Sequence, residues 1–498
     1  MSSPSVLAAP VSDPRRWRAL AVIGVAQLMI VLDITIVNIA LPSAQRDLGI
    51  SVGDRQWVIT AYTLAFGGLL LLGGRIGDQF GRKRTFVIGL LGFAGASALG
   101  GFAVTPEMLF AARALQGSFG ALLAPSALGL LSTTFTDPRE RSTAFGIFSA
   151  IAAGGSAIGL IAGGLLTEYL DWRWCLFVNV PIAIGAAIGA SYLLKRDLVG
   201  REQRLRLDLP GAVLGCGGLL AIVYGTSEAE SRGWGNPLVL ACLLGGALLL
   251  TVFVLVERRT PQALLPLHIV GDRNRGGGAL AVGLAVIGLF GLFLFLTFYQ
   301  QQIKGYSPVL TGVSFLPLTA AIMVSSTGLS ARLMTRVPSR NLVVPGLLLA
   351  AAGMAWMSQL QAGSAYATTV LPAEILLGLG MGLVFMPCLS LATLDVPPRE
   401  TGAASATINT AQQVGGSIGT ALLNTIAASA TAAYLVGRNA TDVRVANAGA
   451  VHGYTVATTV ALGILLLAAV LAFFMIDHRP DPSEARSTAT EEEVRASA

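Results

Sequence analysis

Ala19–Pro42 reads ALAVIGVAQLMIVLDITIVNIALP, twenty-four residues with a single charge, Asp33. A helix of about 20 apolar residues crosses the roughly 30 Å of hydrocarbon in a bilayer, so this stretch is long enough to span one. It exceeds the apolar core of a signal peptide and lacks a small-residue cleavage site, so it reads as a retained helix. The same pattern returns at 56–74, 85–104, 107–134, 142–166, 173–194, 209–227 and 237–256. It returns again at 276–299, 309–331, 342–361, 367–392, 402–428 and 453–476. This count predicts an all-α membrane protein with fourteen transmembrane helices.

Composition points the same way. Of 498 residues, 54% are hydrophobic and 12% charged, against about 25% charged in a soluble domain. Fifty-nine glycines suit helices that approach closely in lipid. The net charge of +6 does not mark a nucleic-acid binder, because the longest basic run is Arg82-Lys83-Arg84. Thirty arginines against three lysines fit a GC-rich bacterial genome, hence a bacterial inner membrane. Cys175, Cys216, Cys242 and Cys388 lie inside apolar segments without CxxC spacing and read as buried free thiols.

Charge placement sets the orientation. Arg46, Arg55, Arg173, Arg232, Lys304, Arg438 and Arg444 are the 7 basic residues on one side of the predicted spans. Arg113 falls inside a span, and the remaining 25 lie on the other side. Cytoplasmic loops collect Lys and Arg, so both termini are expected in the cytoplasm. The tail 477–498 is polar and acid-rich and is expected to be disordered.

The chain also resembles itself. Thr136–Arg141 (TDPRER) and Val396–Thr401 (VPPRET) lie 260 residues apart, Gly154–Gly159 and Gly415–Gly419 261, and Pro125 and Pro387 262. Six spans occupy only about 180 residues, so this offset leaves room for two more between the halves. The expected architecture is 6+2+6. It has an N-terminal bundle at 1–195, an inserted helix pair with cytoplasmic linkers at 196–271, a C-terminal bundle at 272–476 and the tail. Parallel six-helix repeats belong to transporters, with the substrate site near the midplane between them.

Gly74-Arg-Ile-Gly77-Asp78-Gln-Phe-Gly81-Arg82-Lys83-Arg84 follows the second span. Its glycines allow a tight turn, and Asp78 can pair with a neighbouring arginine. Such a clasp, broken when the cytoplasmic side opens, would be a two-state element. This spacing closely resembles the signature loop of the major facilitator superfamily, with Gln79 where arginine is usual. Leu32-Asp33-Ile-Thr-Ile-Val-Asn38-Ile-Ala-Leu-Pro42, Arg113-Ala-Leu-Gln116-Gly117 and Gly155-Ser-Ala-Ile-Gly159-Leu160-Ile-Ala-Gly163-Gly164 resemble motifs of its fourteen-helix drug:proton antiporters. Leu160 stands where proline is usual. The GxxxG packing face remains. In the second half Ala331–Asn341 keeps Arg332 and Arg340 but has Thr335 opposite Asp78, so a second clasp looks degraded. The resemblance implies proton-coupled export of drugs, antibiotics or other amphipathic compounds by alternating access. It implies no cofactor beyond the proton gradient, and a monomer.

Charges inside a membrane are costly and mark function. Asp33, Arg113 and Glu374 are the three that stand out. At about 1.5 Å per residue they lie at similar depth, and Arg113 and Glu374 are 261 residues apart. Asp33 is the expected proton-binding or cation-recognising carboxylate; a static ion pair with Arg113 is the alternative. Glu374 either faces the cavity or, if Pro372 starts its helix, sits in the first turn near water. His268 reads as structural, and Gln300–Gln302 as interfacial. No GxxxxGK[ST] loop exists for an ATP-driven pump. Three scattered histidines offer no metal site or catalytic cluster, and nothing resembles a channel filter. An importer of the same fold is the remaining rival.

Overall fold

The computed structural model describes residues 16–135, 138–194, 208–260, 271–334, 336–393, 401–439 and 441–477. Within them the regular structure is helical. The first half runs α1 (Arg16–Leu48), α2 (Trp57–Phe80), α3 (Arg82–Gly101), α4 (Pro106–Thr134), α5 (Pro138–Tyr169) and α6 (Trp174–Leu193). Next come α7 (Leu209–Arg232) and α8 (Pro237–Glu257). The second half has α9 (Arg273–Ile303), α10 (Pro308–Leu333), α11 (Arg340–Met357), α12 (Leu371–Thr393, preceded by a π turn over Tyr366–Val370), α13 (Thr401–Leu435) and α14 (Val443–Met475). Eleven helices are long and apolar enough to cross a membrane by length and composition, and Trp57–Leu70 and Pro210–Thr226 add shorter apolar stretches.

Helix ends follow capping chemistry. Thr105 caps α4 and Asn236 caps α8, each followed by proline at the start of the helix, and Asp272 caps α9. Packing within the halves is set by small residues. α1 lies on α5 and α6, α2 on α4, and α3 on α4 and α6. Eight helices later the pattern recurs, with α9 on α13 and α14, α10 on α12, and α11 on α12 and α14. A Cβ at Gly163 would come within 3.0 Å of the Ile36 Cα, and one at Gly419 within 2.6 Å of the Ile287 Cα. Any side chain there would push a helix away. The two halves meet chiefly through α2 against α13 and α5 against α10. α7 and α8 pair with each other, and α7 leans on α2 and α13, where the Thr425 hydroxyl donates to the Thr226 carbonyl at 3.0 Å.

The first and last described residues, Arg16 and Asp477, lie on one face. There Arg16 pairs with Glu140 at 2.5 Å, and the Asp477 N–H donates to Asn274 at 2.7 Å. The opposite, distal face holds the Asp47–Arg173 pair (2.7 Å) and the Gln301 amide donating to the Ile39 carbonyl at 3.0 Å, which joins the two halves.

The structure corrects the reading of Gly74–Arg84 as a loop. α2 continues through Phe80, and Gly81 (φ +96°) alone makes the turn into α3. Gly74 and Gly77 face Pro125 and Ser126 of α4, so they serve close packing and not the turn. Arg82 donates to the Gly129 carbonyl at 3.1 Å, and Lys83 to the Ser191 and Leu194 carbonyls at 2.7 and 2.5 Å. These bonds tie the start of α3 to the ends of α4 and α6. The Asp78 side chain, Thr335, His268 and the tail beyond 477 lie outside the described residues, as do parts of both repeated TDPRER-type segments.

Candidate functional site

Arg113 and Gln116 are three residues apart on α4 and so share a face. That face meets Asp33 of α1, Ser97 of α3, Asn179 of α6 and Tyr62 of α2. Arg113 Nη1 donates to Asp33 Oδ2 at 2.6 Å and to Gln116 Oε1 at 2.8 Å, while its Nε donates to the Val58 carbonyl at 3.0 Å. Gln116 and Asn179 both donate to Asp33 Oδ1, at 3.0 and 2.8 Å, and both donate to Ser97 Oγ, at 2.5 and 3.1 Å. The guanidinium also lies 4.4 Å above the centre of the Tyr62 ring. Asp33 and Arg113 are 0% and 2% exposed.

This is one carboxylate and one guanidinium with no net charge, joined to neutral amides at the crossing of five helices. A buried pair of this kind survives only when extra hydrogen bonds offset its desolvation, and the two amides supply them. A void of about 10 Å³ beside Arg113, lined by Val37, Leu41, Val58, Leu109, Trp172 and Cys175, has room for about one water. Sequence reading identified Asp33 and Arg113 but assigned no role to Gln116, and missed Ser97, Asn179 and Tyr62. Polar residues in an apolar run were the available signal; which of them converge was not readable.

Glu374 sits apart, on α12 in the second half. The α-helix does begin beside Pro372, at Leu371, with Glu374 in its first turn, but Glu374 is fully buried, which corrects the expectation that such a position lies near water. The π turn Tyr366–Val370 extends the helix before Pro372, and the proline's missing N–H is made good when the Trp356 indole donates to the Thr368 carbonyl at 3.1 Å. The single Tyr366 hydroxyl proton has two acceptors in reach, the Ser314 carbonyl at 2.7 Å and Glu374 Oε2 at 3.1 Å. Glu374 Oε1 has no hydrogen-bond partner among the described residues.

A third polar group bridges the halves at the distal face. Arg55, expected in the loop between the first two spans, is 3% exposed. Its Nε donates to Asn424 Oδ1 of α13 at 2.9 Å, and the Asn424 amide donates to the Val52 carbonyl (3.1 Å) and to Gln56 Oε1 (2.8 Å). Phe298 covers the guanidinium at 4.0 Å. The α5 glycines split between two neighbours: Gly155, Gly159 and Gly163 face α1, whereas Gly164 faces Val309 of α10 across the halves. Glu168 nearby accepts from the Val309 N–H at 3.0 Å.

Known proteins place this arrangement. Puromycin resistance protein pur8 of Streptomyces alboniger is 56% identical over 496 residues, covering 98% of this chain and 98% of that one. The cephamycin export protein CmcT of Amycolatopsis lactamdurans is 40% identical, covering 83% of this chain and 85% of its own. The tetracenomycin C resistance and export protein of Streptomyces glaucescens is 37% identical over 83% of this chain and 76% of its own. Among solved structures, an inward-facing, unoccupied bacterial homologue of the human lysosomal transporter Spinster shares the fold, with a TM-score of 0.66 and 15% identity over 93% of this chain and 97% of that one. The profile of the Major Facilitator Superfamily matches residues 23–420, and the chain belongs to that superfamily of transporters, not to the enzymes.

Proposed function

We propose that the protein is a proton-coupled antibiotic exporter working by alternating access, with Asp33 and Arg113 as its coupling centre. The observation that carries this reading is the buried Asp33–Arg113 pair (2.6 Å), held by amides from α4 and α6. A membrane-embedded ion pair of this kind is costly to keep and is expected where function needs it. The relatives named for puromycin, cephamycin and tetracenomycin point to bulky amphipathic antibiotics as cargo, puromycin first. Fourteen spans in a 6+2+6 order are supported by the pairing of α9–α14 that repeats that of α1–α6, with α7 and α8 beside them.

The charge bias puts the face with Arg16 and Asp477 in the cytoplasm of a bacterial cell and the distal face outside. The Arg55–Asn424 and α5–α10 contacts then seal the outer side, so the cargo enters from within. The Gly74–Arg84 corner, with Asp78, acts as the cytoplasmic gate, and the chain works as a monomer. The test is puromycin depletion from cells of a drug-sensitive bacterial host, with and without a collapsed pH gradient. Intact protein should deplete puromycin only while the gradient stands, and Asp33→Asn should abolish this when depletion is normalised to the amount of protein in the membrane. Gradient-driven accumulation instead would make it an importer, and depletion indifferent to the gradient would remove the proton.

A further inference from the structure

We propose that Glu374 holds a proton in the conformation seen here and is a second proton site, in the second half of the chain and separate from Asp33. Glu374 is fully buried, and one of its oxygens accepts from the Tyr366 hydroxyl while the other meets no partner among the described residues. The titratable groups that face it are Tyr366 and, beyond Tyr366, Tyr306. From the helices packed on this end of α12 come the Ser314 carbonyl, taken by Tyr366, and the Trp356 indole, taken by Thr368. None of these is a cation. A buried carboxylate with neither a cation nor enough donors is the arrangement that neutralises instead of persisting.

Asp33 is the opposite case. Its two oxygens receive N–H groups from Arg113, Gln116 and Asn179. A proton there would set an O–H against N–H donors that already point at it. In this state, therefore, the proton belongs to Glu374, while the Asp33 oxygens take N–H groups. Tyr366 belongs to a π turn, a local irregularity frequent at functional sites. Its hydroxyl is in reach of both Glu374 and the Ser314 carbonyl, so it can give up the carbonyl bond for the carboxylate as Glu374 loses its proton.

This assignment rests on the proton-coupled reading for its purpose, but its test does not use transport. Infrared spectra of the full-length protein in lipid at neutral pH, in H2O and D2O, should contain a protonated-carboxyl C=O band that is absent from Glu374→Gln. Tyr366→Phe keeps the carboxyl and removes its donor, so the band should remain and shift; this variant covers a Glu374→Gln protein that does not fold. The proposal is overturned if the wild type has no such band, if the band survives in Glu374→Gln, or if Tyr366→Phe leaves it unmoved. A band lost in Asp33→Asn but kept in Glu374→Gln would move the proton to Asp33.

Discussion

Arg113 and Glu374 lie 261 residues apart, on α4 and α12, helices that pack on equivalent neighbours in the two halves. Their surroundings are nevertheless opposite. Arg113 is tied to a carboxylate, an amide and a backbone carbonyl, whereas Glu374 has one phenol and an oxygen without a partner among the described residues. The two halves share a packing surface, because glycines let α1 meet α5 and α9 meet α13. They do not share the chemistry. One half holds an ion pair whose carboxylate oxygens both receive N–H groups, and the other a carboxyl with one partner among the described residues.

The largest effect should come from unpairing the network. Asp33→Ala or Arg113→Ala leaves the other charge buried alone, a cost of about 3–5 kcal/mol. Thermal unfolding in detergent should show a large drop for either, and a double variant should lose less than the sum because the two residues are coupled. Additive losses would mean that the pair contributes little to the fold.

An intermediate effect is expected at Asn179. Replacing it with Ala removes one donor from the Asp33 carboxylate and one from Ser97, and bonds to charged groups are worth about 1.5–3 kcal/mol. The same thermal measurement reads it. A loss as large as that of Arg113→Ala would make the amide, not the ion pair, the centre of the network.

At the distal face, Asn424→Ala removes three bonds between α13 and the start of α2. Spin labels at the exposed distal positions Tyr169 and Val436 should report a greater share of long separations in this variant. An unchanged distance distribution would show that α5 and α10 alone hold the outer side shut.

The smallest effect belongs to the lone carboxyl. Glu374→Gln disturbs one hydrogen bond and Tyr366→Phe two, and bonds between membrane helices average about 0.6 kcal/mol. Stability should hardly move even where transport is lost. A destabilisation comparable to that of Arg113→Ala would erase the contrast between the halves.

Much of this molecule is legible in the order of its amino acids. Apolar runs of bilayer length, the uneven placement of arginine and the offset near 261 all follow from what lipid demands of a chain, so they are local or periodic and appear in one dimension. Asp33 and Arg113 are visible for the same reason: a charge in hydrocarbon is conspicuous. What the sequence could not decide was partnership. Ser97, Gln116 and Asn179 are ordinary polar residues until three helices bring them to one carboxylate. Arg55 looks like a loop arginine until Asn424, 369 residues away, and Phe298 cover it. Gly74 and Gly77 look like turn residues, yet the turn needs only Gly81, because helix-to-helix distance and not backbone freedom is the constraint there. Whether Glu374 meets water or is buried likewise depends on a π turn and a distant tryptophan. Spans and their order come from each segment's own transfer into lipid; the state of each buried charge comes from atoms that only the packing of separate helices brings within reach.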